Sequence, residues 1–522
     1  MELRLYLAVL GFSLFIGCSE LAKTSTRPNI LFAIADDASW KHFGAYGCDW
    51  VKTPGFDYVA ENGILFMNAY TPNAKCAPSR ACILTGRNSW QLEEAANHFP
   101  YFPSKYKTYV EALGAHGYWT GSVAKGWSPG EALDAQGNPR QLTGPKFDDI
   151  KLKPPTTGIG SHDYAQNFSQ FINEKPDGQP FCFWYGGYEP HRAYEYETGV
   201  KLAGKTLQMI DEVPAFWPDV DSVRNDMLDY AYEIEYFDSH LVKMIDLLKA
   251  NGELENTIIV VTADNGMPFP RVKGQVYEYS NHLPLAIMWP NGIVESGRKE
   301  EAYANFIDFA PTFFEVAGID PASAEMAPIT GKSLTDFFNN NVDEEERDFV
   351  LVGKERHDIG RPDDVGYPVR GIIKDSFLYL HNFKTDRWPV GNPETGYLNC
   401  DGSPTKSYIL NTRRVEDNEH YWSMNFGKRD EEELYNIKLD PYCMDNLADL
   451  QERETLRNTL KAEMMEKLIE QGDPRVLGNG EVFDQYEYAG SHQGFYARYM
   501  SGEQMNTSWV NDSDFEKSSI VE

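Results

Sequence analysis

The chain is short of three things, and each shortage excludes a class of protein. Seven cysteines in 522 residues are too few for a scaffold stapled by disulfides. Basic residues are also scarce: 48 Lys and Arg stand against 79 Asp and Glu, a formal charge of −31. A protein that tracks a phosphate backbone needs the opposite balance, so nucleic acid is not an expected partner. Long apolar runs are missing beyond the first residues, and no stretch reaches the roughly 20 residues of a membrane-spanning helix. No internal repeat or low-complexity tract is present. What the chain does have is 42% hydrophobic residues, ample material for a large core.

The N-terminus carries an export pattern. Met1-Glu2-Leu3-Arg4 precedes an apolar stretch from Leu5 to Gly17, too short for a mature membrane helix and suited to a signal peptide. It ends in Leu14-Phe15-Ile16-Gly17-Cys18-Ser19, which resembles the lipobox of bacterial lipoproteins. The expectation is a signal peptide over 1–17, a lipidated Cys18 and a tether over 18–27, holding a soluble body in the periplasm or at the outer membrane. An ordinary cleaved signal with an incidental cysteine is the alternative. Of the other cysteines, Cys82 and Cys182 lie in apolar runs and read as small core residues.

Four β-branched or aromatic runs end abruptly in polar residues: Asn29 to Ala35 at Asp36-Asp37, Tyr118 to Val123 near Lys125-Gly126-Trp127, Phe181 to Tyr185 before Glu189-Pro190-His191-Arg192, and Thr257 to Thr262 at Asp264-Asn265-Gly266. Continuous apolar strands with helices between them predict a parallel sheet covered on both faces. Ligands bind such sheets beyond the carboxyl ends of the strands, so these four ends should converge. Apolar residues from Met227 to Ala250 recur at helical spacing and stop before Asn251-Gly252, which predicts a covering helix. Beyond residue 370 the texture changes to a strand and turn over Gly371 to Leu380 and a helix over 452–471. The expected division is a catalytic domain over 28–370, a C-terminal α+β subdomain over 371–500 and a polar, loosely held tail over 501–522.

The most informative segment is Cys76-Ala77-Pro78-Ser79-Arg80-Ala81-Cys82-Ile83-Leu84-Thr85-Gly86-Arg87. Pro near the first helical position and Gly near the end describe a short helix beginning close to Cys76. Free N–H groups and the positive dipole end make a helix start suitable for an anion. Arg80 adds a charge that can fork onto tetrahedral oxyanions. A lone buried cysteine before a helix would be unremarkable, but it does not account for the whole pattern.

Cys-x-Pro-Ser-Arg followed by Thr-Gly-Arg resembles the signature of the formylglycine-dependent sulfatases. The resemblance implies an α/β, alkaline-phosphatase-like sandwich with a large, mostly parallel central sheet flanked by helices. It also implies that a maturation enzyme oxidises Cys76 to an aldehyde, formylglycine (3-oxoalanine), whose hydrate attacks sulfur. The chemistry is covalent catalysis in two steps, with a sulfated intermediate that then expels sulfate. Asp36, Asp37, Asp264 and Asn265 offer hard oxygen ligands from two strand ends without a His or Cys cluster, which favours Ca²⁺ over Zn²⁺, with Mg²⁺ still open. By resemblance, these four residues and position 76 hold one metal ion. Lys125, His191 and Lys273 match further family positions, with His191 as general acid assisted by Lys273. Two departures stand out: Trp127 occupies a place where many members have His, and Tyr188 replaces the first His of a His-x-Pro-His pattern.

The departures, together with Asp264-Asn265-Gly266-Met267-Pro268-Phe269-Pro270 and Glu433-Leu434-Tyr435-Asn436, resemble the branch that contains heparan N-sulfatase and bacterial polysaccharide sulfatases. That implies a sulfated oligosaccharide or polysaccharide as substrate, with algal glycans such as ulvan as the first expectation and N-sulfoglucosamine in heparan as the alternative. A third possibility, of another class, is a surface glycan-binding lipoprotein whose Cys76 is never matured. Asn97-His98, Arg356-His357 and Arg370 are polar clusters expected at the substrate rim. The acid excess is reconciled with an anionic substrate if Arg80, Lys125, Arg192 and Lys273 gather in one pocket.

Overall fold

A computed structural model describes residues 27–516; the proposed signal, Cys18 anchor and most of the tether fall outside them. At its centre lies a seven-stranded sheet of β1 (Asn29–Ala35), β2 (Ile64–Phe66), β3 (Trp119–Ala124), β4 (Phe181–Gly186), β5 (Thr257–Ala263), β6 (Leu285–Met288) and β7 (Arg298–Glu300). The spatial order is β7-β2-β6-β5-β1-β4-β3. Strands β3, β4, β1 and β5 are parallel, whereas β6 runs antiparallel to both β5 and β2. The sheet is therefore mixed at one side and parallel where the four predicted strands lie.

Helices α1 (Pro54–Glu61), α2 (Cys76–Thr85), α3 (Tyr109–Ala115), α4 (Tyr164–Glu174), α5 (Asp221–Ala250) and α6 (Phe309–Ala317) cover it. The alternation of strand side chains divides β1 between two cores. Leu31, Ala33 and Ala35 pack with Phe56 of α1, Phe168 of α4 and Phe237 of α5. Ile30, Phe32 and Ile34 pack with Ile83 of α2, Leu113 of α3 and Phe313 of α6. Phe32 stacks on Trp184 at 4.8 Å and meets Phe309 edge-on at 5.2 Å. Truncating it to alanine should cost about 3–5 kcal/mol. Helix α5 begins six residues earlier than its apolar period indicates, because its polar first turn, from Asp221, carries no such signal.

A smaller antiparallel sheet of β8 (Phe349–Lys354), β9 (Val369–Lys374), β10 (Phe377–Asn382) and β11 (Glu432–Asn436) follows. Helix α7 (Glu454–Glu470) covers it through Leu460, Met464 and Leu468, packed near Leu351, Ile372 and Tyr379. The division expected after residue 370 falls inside β9, and β8 precedes it. Asp375 and Ser376, both at positive φ, make the two-residue β9–β10 turn, which needs that backbone to match the strand twist.

The tail corrects an expectation. Up to Glu516 it is not loosely held: Val510 is buried and packs with Leu398, while the Lys406–Asp514 ion pair is fully enclosed at 3.2 Å. A Ser- and Asn-rich composition concealed the anchors Trp509, Val510 and Phe515. Among the described residues no cysteine is paired, and no helix is long and apolar enough to cross a membrane.

Candidate active site

Strands β1 and β5 are adjacent and parallel with Ala35 opposite Ala263, so Asp36-Asp37 and Asp264-Asn265 leave the sheet side by side. Asp37 takes a left-handed backbone, φ 76°, a conformation Asp tolerates better than most residues. That break from the strand pleat brings two consecutive carboxylates into one site. The Asp37 N–H donates to Asp264 Oδ1 at 3.0 Å.

Helix α2 brings Cys76 to these carboxylates. Cys76 is its first residue, and Gly86 closes it in a left-handed conformation with its N–H donating to the Cys82 carbonyl. Cys76 Sγ lies 3.4 Å from Asp36 Oδ1 and 3.8 Å from Asp37 Oδ1. Ligand atoms of Asp36, Asp37, Cys76 and Asp264 all fall within 4.8 Å of one another. Burial pushes the Cys76 thiol well above its usual pKa, and Lys125 only partly offsets this. An unmodified thiol here is a poor nucleophile, because the thiolate is the reactive form.

Two lysines bracket the carboxylates. Lys125 Nζ contacts Asp36 Oδ2 at 2.5 Å, and Lys273 Nζ contacts Asp37 Oδ2 at 2.7 Å. Burial alone would favour neutral amines, but Asp36 for Lys125 and the Asp37–Asp401 pair for Lys273 outweigh it. Both remain ammonium donors rather than bases. His191 places Nε2 3.9 Å from Asp37 Oδ2 and its Nδ1 2.6 Å from the Arg192 carbonyl, with about a third of the side chain exposed.

Arg80 is enclosed completely. Its Nε donates to Asp264 at 2.7 Å and its Nη1 to the Lys125 and Gly126 carbonyls, both at 2.8 Å; Nη2 has no hydrogen-bond partner. Arg80 thus braces Asp264 and the turn after β3 instead of presenting a free fork to an oxyanion. Burial disfavours the Asp264 carboxylate, but Arg80 and Lys125 hold it below the usual carboxylate range. Arg192 is likewise committed, bidentate to Asp226 at 2.6 and 2.8 Å, so each of the four expected cations already holds a carboxylate partner, and Lys125, Arg192 and Lys273 line the cleft. Trp127 donates its indole N–H to the Ala77 carbonyl at 3.0 Å, bracing the first turn of α2.

The acidic cluster fits a divalent cation. Asn265 Nδ2 donates to Asp37 Oδ1 at 2.7 Å, while Asn265 Oδ1 is buried with no hydrogen-bond partner among the described residues. A buried, unpaired amide oxygen beside three carboxylates is an arrangement that a hard cation relieves.

A cleft of about 660 Å³ opens above these groups, lined by Asp36, Cys76, Lys125, His191 and Lys273 together with residues that, His98 apart, sequence reasoning missed. Asp401 contacts Lys273 at 2.7 Å. Lys75 and His98 share Asp358, at 2.9 and 3.2 Å. Glu233 reaches the cleft from α5, and Tyr488, His492 and Trp509 reach it from the C-terminal segment. Of these, Lys75 alone had a local signal, its place directly before Cys76.

The rim candidates need correction. Asn97, Arg356, His357 and Arg370 are buried. Arg370 is bidentate to Asp473 and also bonds Glu355; Arg356 caps the Tyr486 and Glu487 carbonyls; His357 bridges the Gly274 carbonyl and Asn73. Asn97 bonds the Arg356 N–H and the Phe483 carbonyl. Buried polar groups are mostly paired internally, and these are, apart from Arg356 Nε. Only His98 faces the cleft.

A sulfatase family model matches residues 28–319, and a model for the C-terminal part of N-sulphoglucosamine sulphohydrolase matches residues 272–385. An ulvan-active sulfatase of Formosa agariphila is 25% identical, over 92% of this chain and 83% of its own. Human N-sulphoglucosamine sulphohydrolase is 26% identical, over 88% and 93%. The structure of BT4656 in complex with its substrate D-glucosamine-2-N,6-O-disulfate superposes with a TM-score of 0.59 at 20% identity, covering 86% of this chain and 98% of that one. This last likeness concerns the alkaline-phosphatase-like fold. With more than half of the chain matched by the family model, the protein belongs to the sulfatase family and is a sulfuric ester hydrolase.

Proposed function

We propose that the protein removes sulfate from oligosaccharides derived from sulfated polysaccharides of the ulvan type, using formylglycine formed from Cys76 and one Ca²⁺. The observation that carries this is the enclosed Cys76 at the head of α2, within 4 Å of two carboxylates, at the floor of an open cleft. Its thiol is held protonated by burial, so the position gains reactivity only through conversion to the aldehyde, whose hydrate supplies the attacking oxygen. Asp36, Asp37, Asp264 and Asn265, with position 76, would hold the cation. When bound, Ca²⁺ supplies the positive charge that orients a sulfate oxygen among these carboxylates.

The chain's own groups do the rest. Lys125 and Lys273 are fixed ammonium donors for the remaining sulfate oxygens, where their charge counts most as negative charge redistributes. His191 Nε2 faces the cleft and delivers a proton to the sugar oxygen as its bond to sulfur breaks. Arg80 and Trp127 position the acidic pair and the helix start. Export as a lipoprotein anchored through Cys18, and maturation by a separate formylglycine-forming enzyme, complete the proposal.

A second reading, hydrolysis of N-sulfoglucosamine in heparan oligosaccharides, is favoured by the match over residues 272–385. The matured protein should be screened for sulfate release from ulvan, carrageenan, fucoidan and heparan oligosaccharides. Release from ulvan supports the first reading, and release only from an N-sulfate decides for the second. Intact-mass analysis of the peptide carrying residue 76 should show the aldehyde or its hydrate. A retained thiol in the native host, or substantial turnover by Cys76→Ala, would sink the formylglycine mechanism.

A further inference from the structure

Glu233 is 2% exposed and lines the cleft on the same side as Gly158, Gly160, Glu189, His191 and Arg192. Its Oε2 is buried and has no hydrogen-bond partner among the described residues. Of the donors on the surrounding segments, the Tyr236 hydroxyl is likewise buried without a hydrogen-bond partner, while others are engaged elsewhere. Arg192 is bidentate to Asp226 and gives its Nε to the Pro268 carbonyl at 2.8 Å. Tyr164 donates to Glu189 at 2.7 Å, and Tyr194 donates to the Pro190 carbonyl. Gly158 packs close beside it: a Cβ there would stand 2.2 Å from the Ala193 carbonyl oxygen and 3.2 Å from Glu233 Oε1. Burial, with Glu189 nearby, holds the Glu233 carboxyl well above its usual range, against the pull of Arg192.

An unpaired buried polar oxygen on a binding surface calls for a ligand that supplies the missing partner. A sulfate group cannot donate to a carboxylate oxygen, since it carries only acceptors and negative charge. We propose that Glu233 is a specificity-determining residue that accepts a hydrogen bond from a donor on the leaving sugar, beside the sulfated position. This rests on the hydrolase reading above and assigns the sugar-recognising side of its cleft. A site built to satisfy a substrate hydroxyl discriminates strongly against substrates lacking it.

Two sources could supply the donor, a hydroxyl or an ammonium, and two variants distinguish them. In the matured full-length protein, Glu233→Ala should raise KM for ulvan oligosaccharides about tenfold with kcat within roughly threefold, and raise KM for para-nitrophenyl sulfate far less. Glu233→Gln, which keeps an acceptor oxygen, should restore KM if the donor is a hydroxyl and should not if it is an ammonium. Calorimetric binding of the desulfated products, a ulvan disaccharide and glucosamine, reads the same contact without turnover. If the wild type releases no sulfate yet binds product and loses that binding on Glu233→Ala, the hydrolase reading fails and this one stands. If the wild type is active and Glu233→Ala matches it in both KM and product binding, this one is overturned. Equal thermal melting of wild type and Glu233→Gln checks that the fold is unchanged.

Discussion

The Lys273 ammonium sits 2.7 Å from Asp401, a residue 128 positions further along the chain. It lies equally close to Asp37, so one cation ties the acidic cluster at the end of β1 to the loop between β10 and β11. Burial opposes the Asp401 carboxylate, but Lys273 and His191 hold it far below the usual range. Asp401 therefore stays ionised and keeps the Lys273 side chain oriented. Replacing it with the isosteric Asn leaves Lys273 to Asp37 alone. Asp401→Asn should lower kcat for sulfate release by about 10–100-fold, the range typical of groups that orient a reacting residue. Activity equal to wild type would show that Lys273 does not depend on it.

The buried acidic group should respond to cations. A ligand that binds only the folded state stabilises it by RT ln(1 + [L]/Kd), about 4 kcal/mol at a thousandfold excess over Kd. Added Ca²⁺ should raise the melting temperature of the chelator-treated protein in a concentration-dependent way. Asp264→Asn should lose most of that rise. A melting temperature indifferent to Ca²⁺ in the wild type would remove the metal from the site.

Acid should weaken the fold through His42. The ring packs 5.4 Å from Trp50 and 5.3 Å from Tyr230, and burial, helped by Lys41, lowers its pKa to about 3. The unfolded chain takes up a proton near pH 6.5 that the folded chain refuses until about pH 3. The sign follows: this contribution is fully present above the unfolded value and is lost as pH falls towards the folded one, with a total on the order of 5 kcal/mol. Urea unfolding at near-neutral and mildly acidic pH should show a steeper decline for wild type than for His42→Gln. Parallel slopes would place the acid sensitivity elsewhere.

The C-terminal anchor should matter to both stability and substrate. Lys406 and Asp514 are fully enclosed 3.2 Å apart, and Lys406 also donates to the Gly396 and Cys400 carbonyls. Asp514→Asn leaves a buried ammonium without its counter-charge, at a cost of about 3 kcal/mol. Because Asn506 and Trp509 from the same segment line the cleft, KM for oligosaccharides should rise as well. Unchanged melting and unchanged KM would mean that the segment is held by its apolar contacts alone.

The chain's local patterns were enough for the four parallel central strands, though not for β2, β6 and β7, and for the helix that opens at Cys76 and the acidic pairs at two strand ends. These features are legible because apolar periodicity, Pro and Gly placement, and abrupt polar breaks act within a few residues of one another. The Cys76-to-Arg87 pattern, by resemblance, pointed to the reaction class. Other features depended on distance. Whether an arginine is a ligand or a brace is decided by its neighbours in space: Arg80 and Arg192 looked like substrate cations, and both guanidiniums are paired with carboxylates, Asp264 and Asp226, although Arg80 Nη2 keeps no partner. Arg356 and Arg370 read as rim residues and lie in the interior, because a charged side chain can be enclosed wherever a remote partner neutralises or hydrogen-bonds it. Asp401, Glu233 and Trp509 carry no motif at all. Only tertiary packing brings segments more than a hundred residues apart to one cleft, and contact between such segments leaves no periodic trace in either one.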